Sequence, residues 1–172
     1  MEPKLDEKDL KILKVLQEDC KATTKRIAKE INLPITTVFA KIKRMENLGI
    51  IKGYRAVLDA KKLDKGTTAF ILASFSYGPQ RAKEPLSQRE LAKQISKMPE
   101  VQEVHIITGD WDILIKVKDK DVDAIGEFVI DKLRMVKGIE KTLTCMVFHT
   151  EKETTTITLE TPTRQSAGEN RL

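Results

Sequence analysis

The hydrophobic pattern of the chain changes its period near Thr68, and this change constrains the fold more than any other feature. Before that point, apolar residues recur every three or four positions, as they do in amphipathic helices. From Thr68 onward they follow a period of two in several short runs, which predicts strands. A chain with helices first and mixed strands and helices afterwards is expected to be an α+β protein with two small domains. The length of 172 residues is sufficient for both domains.

A helix-turn-helix is predicted in the first third of the chain. Asp6 and Thr23 are suitable N-caps for a first helix over about 7–18 and for a second, shorter helix. A third helix follows, with Pro34 expected at its first helical position and Gly49 as the left-handed residue after its end. Two short helices separated by about three residues are typical of a helix-turn-helix, in which the third helix is the recognition helix.

Positive charge is concentrated in the same region. Residues 1–62 carry 15 Lys and Arg against 9 Asp and Glu, whereas residues 63–172 carry 16 against 17, so the net charge of +5 belongs to the first third. A solvated helix surface is one explanation of such a segment. The concentration of positive charge, taken together with the helix spacing, favours binding to double-stranded DNA. The residues expected to contact DNA are Lys25, Thr36, Thr37, Ala40, Lys41, Lys43, Arg44, Lys52 and Arg55.

The second half of the chain predicts a ferredoxin-like βαββαβ domain. The predicted elements follow the order strand, helix, strand, strand, helix, strand, with Ser87 and Asp121 as N-caps of the two helices. Gly109 and Asp110 are expected to form the tight turn between the two central strands. This order gives a four-stranded antiparallel sheet with both helices on one face.

Alternation along the predicted strands assigns residues to the two faces of the sheet. The helix-covered face is expected to contain Ile71, Ala73, Phe75, Tyr77, Ile113, Ile115, Val117, Leu143, Cys145 and Val147. The opposite face is expected to contain Phe70, Leu72, Val104, Ile106, Leu114, Met146 and Phe148. Because no helix of this chain covers this second apolar face, we expect a second copy to pack against it about a two-fold axis. A two-fold dimer also suits a helix-turn-helix that binds a pseudo-palindromic site.

Four segments follow from these patterns. Residues 1–52 are the helix-turn-helix domain, with an extended run over 50–58 as its wing, and 53–67 form a linker or extended strand. Residues 68–150 are the βαββαβ domain, which contains a long loop over 78–86. Residues 151–172 are expected to add an edge strand over 154–159 and a flexible tail.

Several functional classes are excluded by motif and composition. The sequence contains no glycine-rich phosphate loop, Gly-x-Ser-x-Gly elbow or His/Cys cluster with metal-ligand spacing, so no enzyme, metal site or cofactor is expected. His105 and His149 are expected to be packed or exposed at edges, and Cys20 and Cys145 to be reduced thiols. No apolar run approaches 18 residues and the N-terminus is charged, which predicts neither a membrane span nor a secretory signal but a cytoplasmic protein. RNA recognition by the sheet is disfavoured because the sheet lacks an aromatic platform.

From Leu5 to His149 the sequence resembles the Lrp/AsnC family, also called the leucine-responsive or feast/famine regulators. The resemblance rests on Leu5-Asp6, on Asp9 with Ile12-Leu13, on Gly49 to Tyr54, on Pro99 to Val101 and on Thr108 to Asp112. It implies a transcriptional regulator with a helix-turn-helix joined to a ligand-sensing domain. It also implies a homodimer that assembles into tetramers or octamers and responds to an amino acid or a related metabolite.

The resemblance further implies where the effector binds. From the residues alone, Gly109-Asp110 is better explained as hairpin-turn chemistry, although backbone amides and an aspartate there would suit the carboxylate and ammonium of an amino acid. The resemblance implies a ligand site formed by Ile106, Gly109, Asp110, Trp111, Asp112, Thr142 and Thr144. The alternative function is an architectural DNA-binding protein without an effector, whose charge distribution would be the same.

Overall fold

The computed structural model describes residues 4–76 and 86–160. It divides into two compact units, one formed by the residues up to Val57 and from Glu153, and the other by Leu58–Lys152. The predicted loop over 78–86 falls almost entirely outside the described residues, as do Tyr77 and the tail beyond residue 160.

The first unit contains three helices: α1 (Glu7–Glu18), α2 (Thr24–Glu30) and α3 (Ile35–Asn47). Asp6 and Thr23 cap α1 and α2 as predicted, because each side chain accepts a hydrogen bond from the backbone N–H three residues on. Gly49 follows α3 with φ of 69°, which confirms the left-handed end of the helix. The helices enclose one apolar cluster centred on Ile12, Ile27, Val38 and Met45, all of which are fully buried.

Two expectations for this unit are corrected. Pro34 is the N-cap of α3 and not its first helical residue, since its ψ of 141° is extended. Its ring leaves the cap without a side-chain hydrogen bond. The segment over 50–58 contains no assigned strand in the described residues, so the wing is an irregular segment within this chain.

The predicted strand over 154–159 is also absent from the described residues. Instead, the side-chain amide of Gln17 in α1 binds both backbone groups of Ile157: Nε2 donates to the carbonyl oxygen at 3.0 Å, and Oε1 accepts from the N–H at 2.8 Å. Leu159 packs against the apolar cluster of the same unit. A side chain thus satisfies the backbone groups that a neighbouring strand would have satisfied.

We expect Gln17→Ala to lower the free energy of unfolding of the first unit by about 1 kcal/mol, because two exposed hydrogen bonds are lost. Urea unfolding followed by circular dichroism measures the change, and hydrogen exchange at the Ile157 amide should become faster. Lys14→Ala, one turn earlier on the exposed side of α1, is the matched control. Equal stability of the two variants would contradict a stabilising role for the Gln17 contact.

The second unit is a four-stranded antiparallel sheet with two helical segments. Its strands are β1 (Thr67–Phe75), β2 (Val101–Ile106), β3 (Ile113–Asp119) and β4 (Ile139–Met146), in the spatial order β2-β3-β1-β4. The helices are α4 (Gln88–Ile95) and α5 (Val122–Glu127), capped by Ser87 and Asp121 as predicted. Both helices contribute to the cluster that covers the buried side of β1 and β3. The predicted ferredoxin-like architecture is confirmed.

The helix after Asp121 differs from its predicted form. Beyond α5 the chain forms a π-helical turn over Phe128–Lys132 and a 3-10 turn over Leu133–Met135. The added residue of a π turn rotates the buried stripe, so Phe128 is buried although the sequence pattern did not indicate it. The apolar spacing of Val122, Ile125 and Val129 predicts that all three face inward, but Val122 is 60% exposed.

The predicted faces are correct for β1 and β3 but wrong for β4 and β2. Leu143 pairs with Leu72 and Cys145 with Phe70, which places both residues on the face without helices. Met146 pairs with buried Ala69 and therefore lies on the helix-covered side. Val147 and Phe148 were also assigned to faces, but they lie beyond the end of β4.

On β2, the register corrects two further residues. Val104 and Ile106 pair with Ile115 and Ile113, both of which are buried on the helix-covered side. The wrong assignments share one cause, because a one-residue change in register moves a whole strand to the other face and alternation alone does not fix the register. The face without helices, called the open face below, therefore contains the apolar residues Phe70, Leu72, Leu114, Leu143 and Cys145.

Candidate nucleic-acid interface and ligand loop

The solvent side of α3 contains most of the residues predicted to contact DNA. Thr36, Ala40 and Lys43 are exposed, while Thr37 is half-buried. Phe39 was not predicted, yet its side chain is 55% exposed on the flank of this surface. The sequence signal for Phe39 was available, because it is a large apolar residue outside the three- and four-residue steps of the buried stripe.

Two basic residues of α3 are held by the acidic start of α1. The Lys41 Nζ atom donates to Asp6 Oδ2 at 2.6 Å and to Asp9 Oδ1 at 3.0 Å. Arg44 donates from one guanidinium nitrogen to Asp9 Oδ2 at 3.3 Å and from the other to the Lys4 carbonyl at 3.0 Å. Asp9 is 0% exposed and Lys41 is only 16% exposed in its side chain. These two cations therefore connect α3 to α1 within the unit.

The pKa values of Asp6 and Lys41 are consistent with an ion pair between them. The hydrogen bond from Lys41, followed by that from the Asp9 backbone, lowers the pKa of Asp6 to about 2. Burial alone would lower the pKa of Lys41, but the hydrogen bonds and charges of Asp6 and Asp9 raise it above its ordinary value. Lys41 and Asp6 are therefore both charged near neutral pH.

Lys43 has a different environment at the exposed side of α3. Its Nζ atom lies 2.7 Å from Glu46 Oε2, and the Tyr54 hydroxyl donates to Glu46 Oε1 at 3.0 Å. Burial and then the hydrogen bond to Glu46 raise the pKa of Tyr54 to about 12. An exposed ion pair of this kind contributes little free energy, so a phosphate can compete for the Lys43 ammonium.

A shallow groove of about 450 Å³ runs along α3. All the residues that line it were predicted to contact DNA, and they are Thr36, Thr37, Ala40, Lys41 and Arg44. Lys25 is exposed on α2, while Lys52 and Arg55 are exposed in the irregular segment after α3. None of these three lines the groove.

All the predicted ligand residues except Thr144 lie at one end of the sheet. The connection between β2 and β3 is a six-residue loop over 107–112, and not the predicted two-residue turn, and it is closed by a hydrogen bond from the Ile107 N–H to the Asp112 carbonyl at 2.8 Å. Gly109 adopts φ of 121°, a conformation that residues with a side chain rarely adopt. Asp110 is exposed in this loop and Trp111 is half-buried.

Asp112 fixes the loop to the end of β1. Its N–H donates to the Ala73 carbonyl at 3.1 Å, and its Oδ2 atom accepts from the Phe75 N–H at 2.7 Å. The Gln88 side-chain amide also donates to the Asp112 carbonyl at 3.2 Å. A carboxylate that accepts from the backbone in this way holds the loop in place, a role that the sequence did not indicate.

Strand register places Ile106 and Thr142 in one row across the sheet. Ile106 pairs with Ile113, Ile113 with Ala73, and Ala73 with Thr142. Thr144 lies two positions further along β4. It pairs with Ile71 in the middle of β1, so it lies away from the end that carries the 107–112 loop. Within the described ranges, no hydrogen bond joins the side chains of Thr142 or Thr144 to that loop.

Other classes of site find no support in the part of the chain that the structure describes. Its His, Cys, Asp and Glu side chains include no group of three suited to hold a metal ion. His105 lies 3.2 Å from Glu103, and His149 lies 3.0 Å from Glu151, with all four side chains at the surface. None of the described helices is both long and apolar enough to cross a membrane.

Comparison with known proteins identifies the family. Residues 5–52 match the model of a winged helix-turn-helix DNA-binding domain, and residues 68–157 match that of the Lrp/AsnC ligand-binding domain. The chain belongs to the Lrp/AsnC family. An HTH-type transcriptional regulator of Pyrococcus abyssi is 42% identical to this Lrp/AsnC chain over 149 residues, which cover 87% of the chain and 96% of that protein.

Solved structures agree with this assignment. A transcriptional regulator of Neisseria meningitidis in complex with L-Met matches with a TM-score of 0.81 and 30% identity, covering 90% of this chain and 97% of its own. AsnC of E. coli matches with a TM-score of 0.77 and 25% identity, covering 90% and 99%. This Lrp/AsnC protein is thus a transcriptional regulator with a DNA-binding domain and a ligand-binding domain, in a family of regulators and not of enzymes.

Proposed function

We propose that this regulator binds a specific duplex DNA site as a homodimer and that an amino-acid-like effector changes its binding or assembly. The observation that supports DNA binding is the exposed side of α3. It presents Thr36, Ala40 and Lys43 on a helix whose opposite side is buried. An α-helix fits the major groove, where small side chains contact the thymine methyl and lysine contacts guanine or phosphate. The proposed location is the cytoplasm.

The DNA interface is tested with Lys43→Ala. We expect weaker binding to a duplex selected by the parent protein from a random library. The logarithmic dependence of affinity on salt should flatten by about 0.9, the value for one phosphate contact. Fluorescence anisotropy over a range of salt concentrations measures both quantities. Lys97→Ala, which removes an exposed lysine from the second unit, is the control. An affinity and a slope equal to those of the control would exclude Lys43 as a DNA contact.

The effector site is proposed at the 107–112 loop. Backbone amides near Gly109 suit a carboxylate, and the exposed carboxylate of Asp110 suits an ammonium. Asp112 is assigned a supporting role, because its side chain already accepts from the Phe75 N–H. The relative from Neisseria meningitidis was crystallised with L-Met, which supports an amino acid as the class of effector. The alternative is an architectural DNA-binding protein without an effector, which would show no ligand-dependent DNA binding.

The open face is proposed as the dimer interface. Leu72 and Leu114 pair across β1 and β3, and Leu143 extends the same apolar surface onto β4. An apolar sheet face that no helix of the chain covers is suited to self-association about a two-fold axis. Two recognition helices related by that axis would bind successive major grooves of a pseudo-palindromic site.

A further inference from the structure

The strongest unexplained feature of the first unit is the buried charge of Asp9. Its side chain is fully buried, and it lies in the first turn of α1, where the Asp6 N–H donates to Asp9 Oδ2 at 2.9 Å. The same carboxylate accepts from Lys41 and Arg44, both on the recognition helix. Burial of a carboxylate costs free energy of folding unless the carboxylate is paired. The cap of α1 requires only the contact with the Asp6 N–H, and not those with Lys41 and Arg44.

The charges of this cluster cancel. Asp6 and Asp9 contribute two negative charges, and Lys41 and Arg44 contribute two positive charges, within direct hydrogen-bond distance of one another. The Lys41 ammonium is directed to both carboxylates and is largely buried. A phosphate that approaches the groove on α3 therefore meets a neutral cluster, although the groove is lined by two cations. Non-specific DNA affinity depends on uncompensated cations.

We propose that Asp9 is a positioning residue that increases the sequence specificity of this DNA-binding domain. Its carboxylate, together with that of Asp6, withholds Lys41 from general phosphate contacts, competes with phosphate for Arg44, whose side chain is 47% exposed, and fixes α3 against α1. Binding then depends more on short-range contacts from Thr36, Ala40 and Lys43. This inference rests on the proposed DNA-binding function and assigns it a residue that does not itself contact DNA.

A direct role of Lys41 and Arg44 as phosphate contacts predicts the opposite result. In that case Asp9 would orient two cations toward the DNA backbone, and its loss would remove contacts. The salt dependence of binding would then flatten when Asp9 is neutralised. The sign of the change in slope therefore distinguishes the two roles, and general destabilisation of the fold does not produce a steeper slope.

The experiment uses the full chain and two duplexes, one of random sequence and one selected by the parent protein from a random library. With Asp9→Asn, we expect the salt slope on the random duplex to become steeper by about 0.9, because the cluster then carries one uncompensated positive charge while Lys41 stays bound to Asp6. Affinity for the random duplex at 0.1 M salt should rise roughly five- to tenfold on the same basis. The ratio of selected to random affinity should fall by at least that factor. An unchanged or flatter slope would overturn the proposal.

Two further variants protect this test against misfolding. In the double variant Asp9→Asn with Lys41→Met, the cluster is neutral again, so the salt slope should return to the parent value. A slope flatter than that of the parent would show that Lys41 contacts phosphate and would overturn the proposal. Asp6→Asn removes one negative charge at an exposed cap that asparagine also satisfies, so α1 is retained. It should steepen the slope in the same direction, and an unchanged slope would count against the proposal.

Asp119→Asn is the matched control, because Asp119 is also largely buried and binds a lysine, Lys65, at 2.6 Å in the second unit. An equal steepening in this variant would mean that total charge, and not the place of Asp9, sets the slope, which would overturn the proposal. Failure of the parent protein to bind either duplex would instead reject the DNA-binding function itself. The two failures are thus distinguishable.

Discussion

Replacing Leu143 by aspartate is expected to convert the dimer into a monomer and to weaken binding to the selected duplex by about 100-fold or more. Leu143 lies on the open face and is 46% exposed in the single chain, so the new carboxylate stays hydrated in the monomer. In a face-to-face dimer it would lose that hydration without a partner. Two linked recognition helices gain about 10² to 10⁴ in affinity over one, and the monomer loses this gain.

Light scattering after gel filtration measures the mass, and fluorescence anisotropy measures the DNA affinity. Val122→Asp is the control, because Val122 is also an exposed apolar residue of the second unit but lies at the start of α5. An aspartate in the first turn of a helix is tolerated well. A Leu143→Asp variant that remains dimeric would exclude the open face as the interface. A monomeric control would show that the change in mass is not specific to this face.

Local sequence signals predicted correctly where four of the helices begin. Asp6, Thr23, Ser87 and Asp121 were each expected to cap a helix, and each accepts a hydrogen bond from the N–H three residues on. The position of Gly49 was equally clear. These features depend on contacts within four residues, so both partners of each interaction lie in one short stretch of the sequence.

Long-range pairing was not predictable in the same way. The side of the sheet on which Leu143 lies is decided by its pairing with Leu72, 71 positions earlier in the chain. Both alternating sets of β4 contain residues that tolerate burial, so the pattern fits either register. The attachment of Ile157 to Gln17 is similarly invisible, because it joins residues 140 positions apart.

At the candidate DNA interface, too, local features were predictable from the sequence and long-range contacts were not. The sequence predicted α3 as the recognition helix, with Lys41 and Arg44 as cations on it. Their pairing with Asp9 spans 32 and 35 positions and depends on how α1 crosses α3. If α3 binds DNA as proposed, counting cations along the chain overestimates the uncompensated charge on this helix.

The second prediction with a large expected effect concerns ligand binding at the 107–112 loop. We expect an amino acid that binds the parent protein to raise its melting temperature, because a ligand of the native state stabilises it by mass action. At a concentration of 100 times its Kd, the gain is about 2.7 kcal/mol. For a chain of this size that gain corresponds to roughly 5–10 °C. A thermal-shift screen with the individual amino acids measures it.

Asp110→Asn is expected to abolish this shift, because the exposed carboxylate that would hold the ammonium is replaced by a neutral amide. Asp112→Asn is the matched variant in the same loop. An asparagine oxygen still accepts from the Phe75 N–H, so the loop should keep its position and much of the thermal shift should remain. Loss of the shift only in Asp112→Asn would reverse the two assignments and make Asp112 the ligand contact. A full shift in both variants would move the effector site away from this loop.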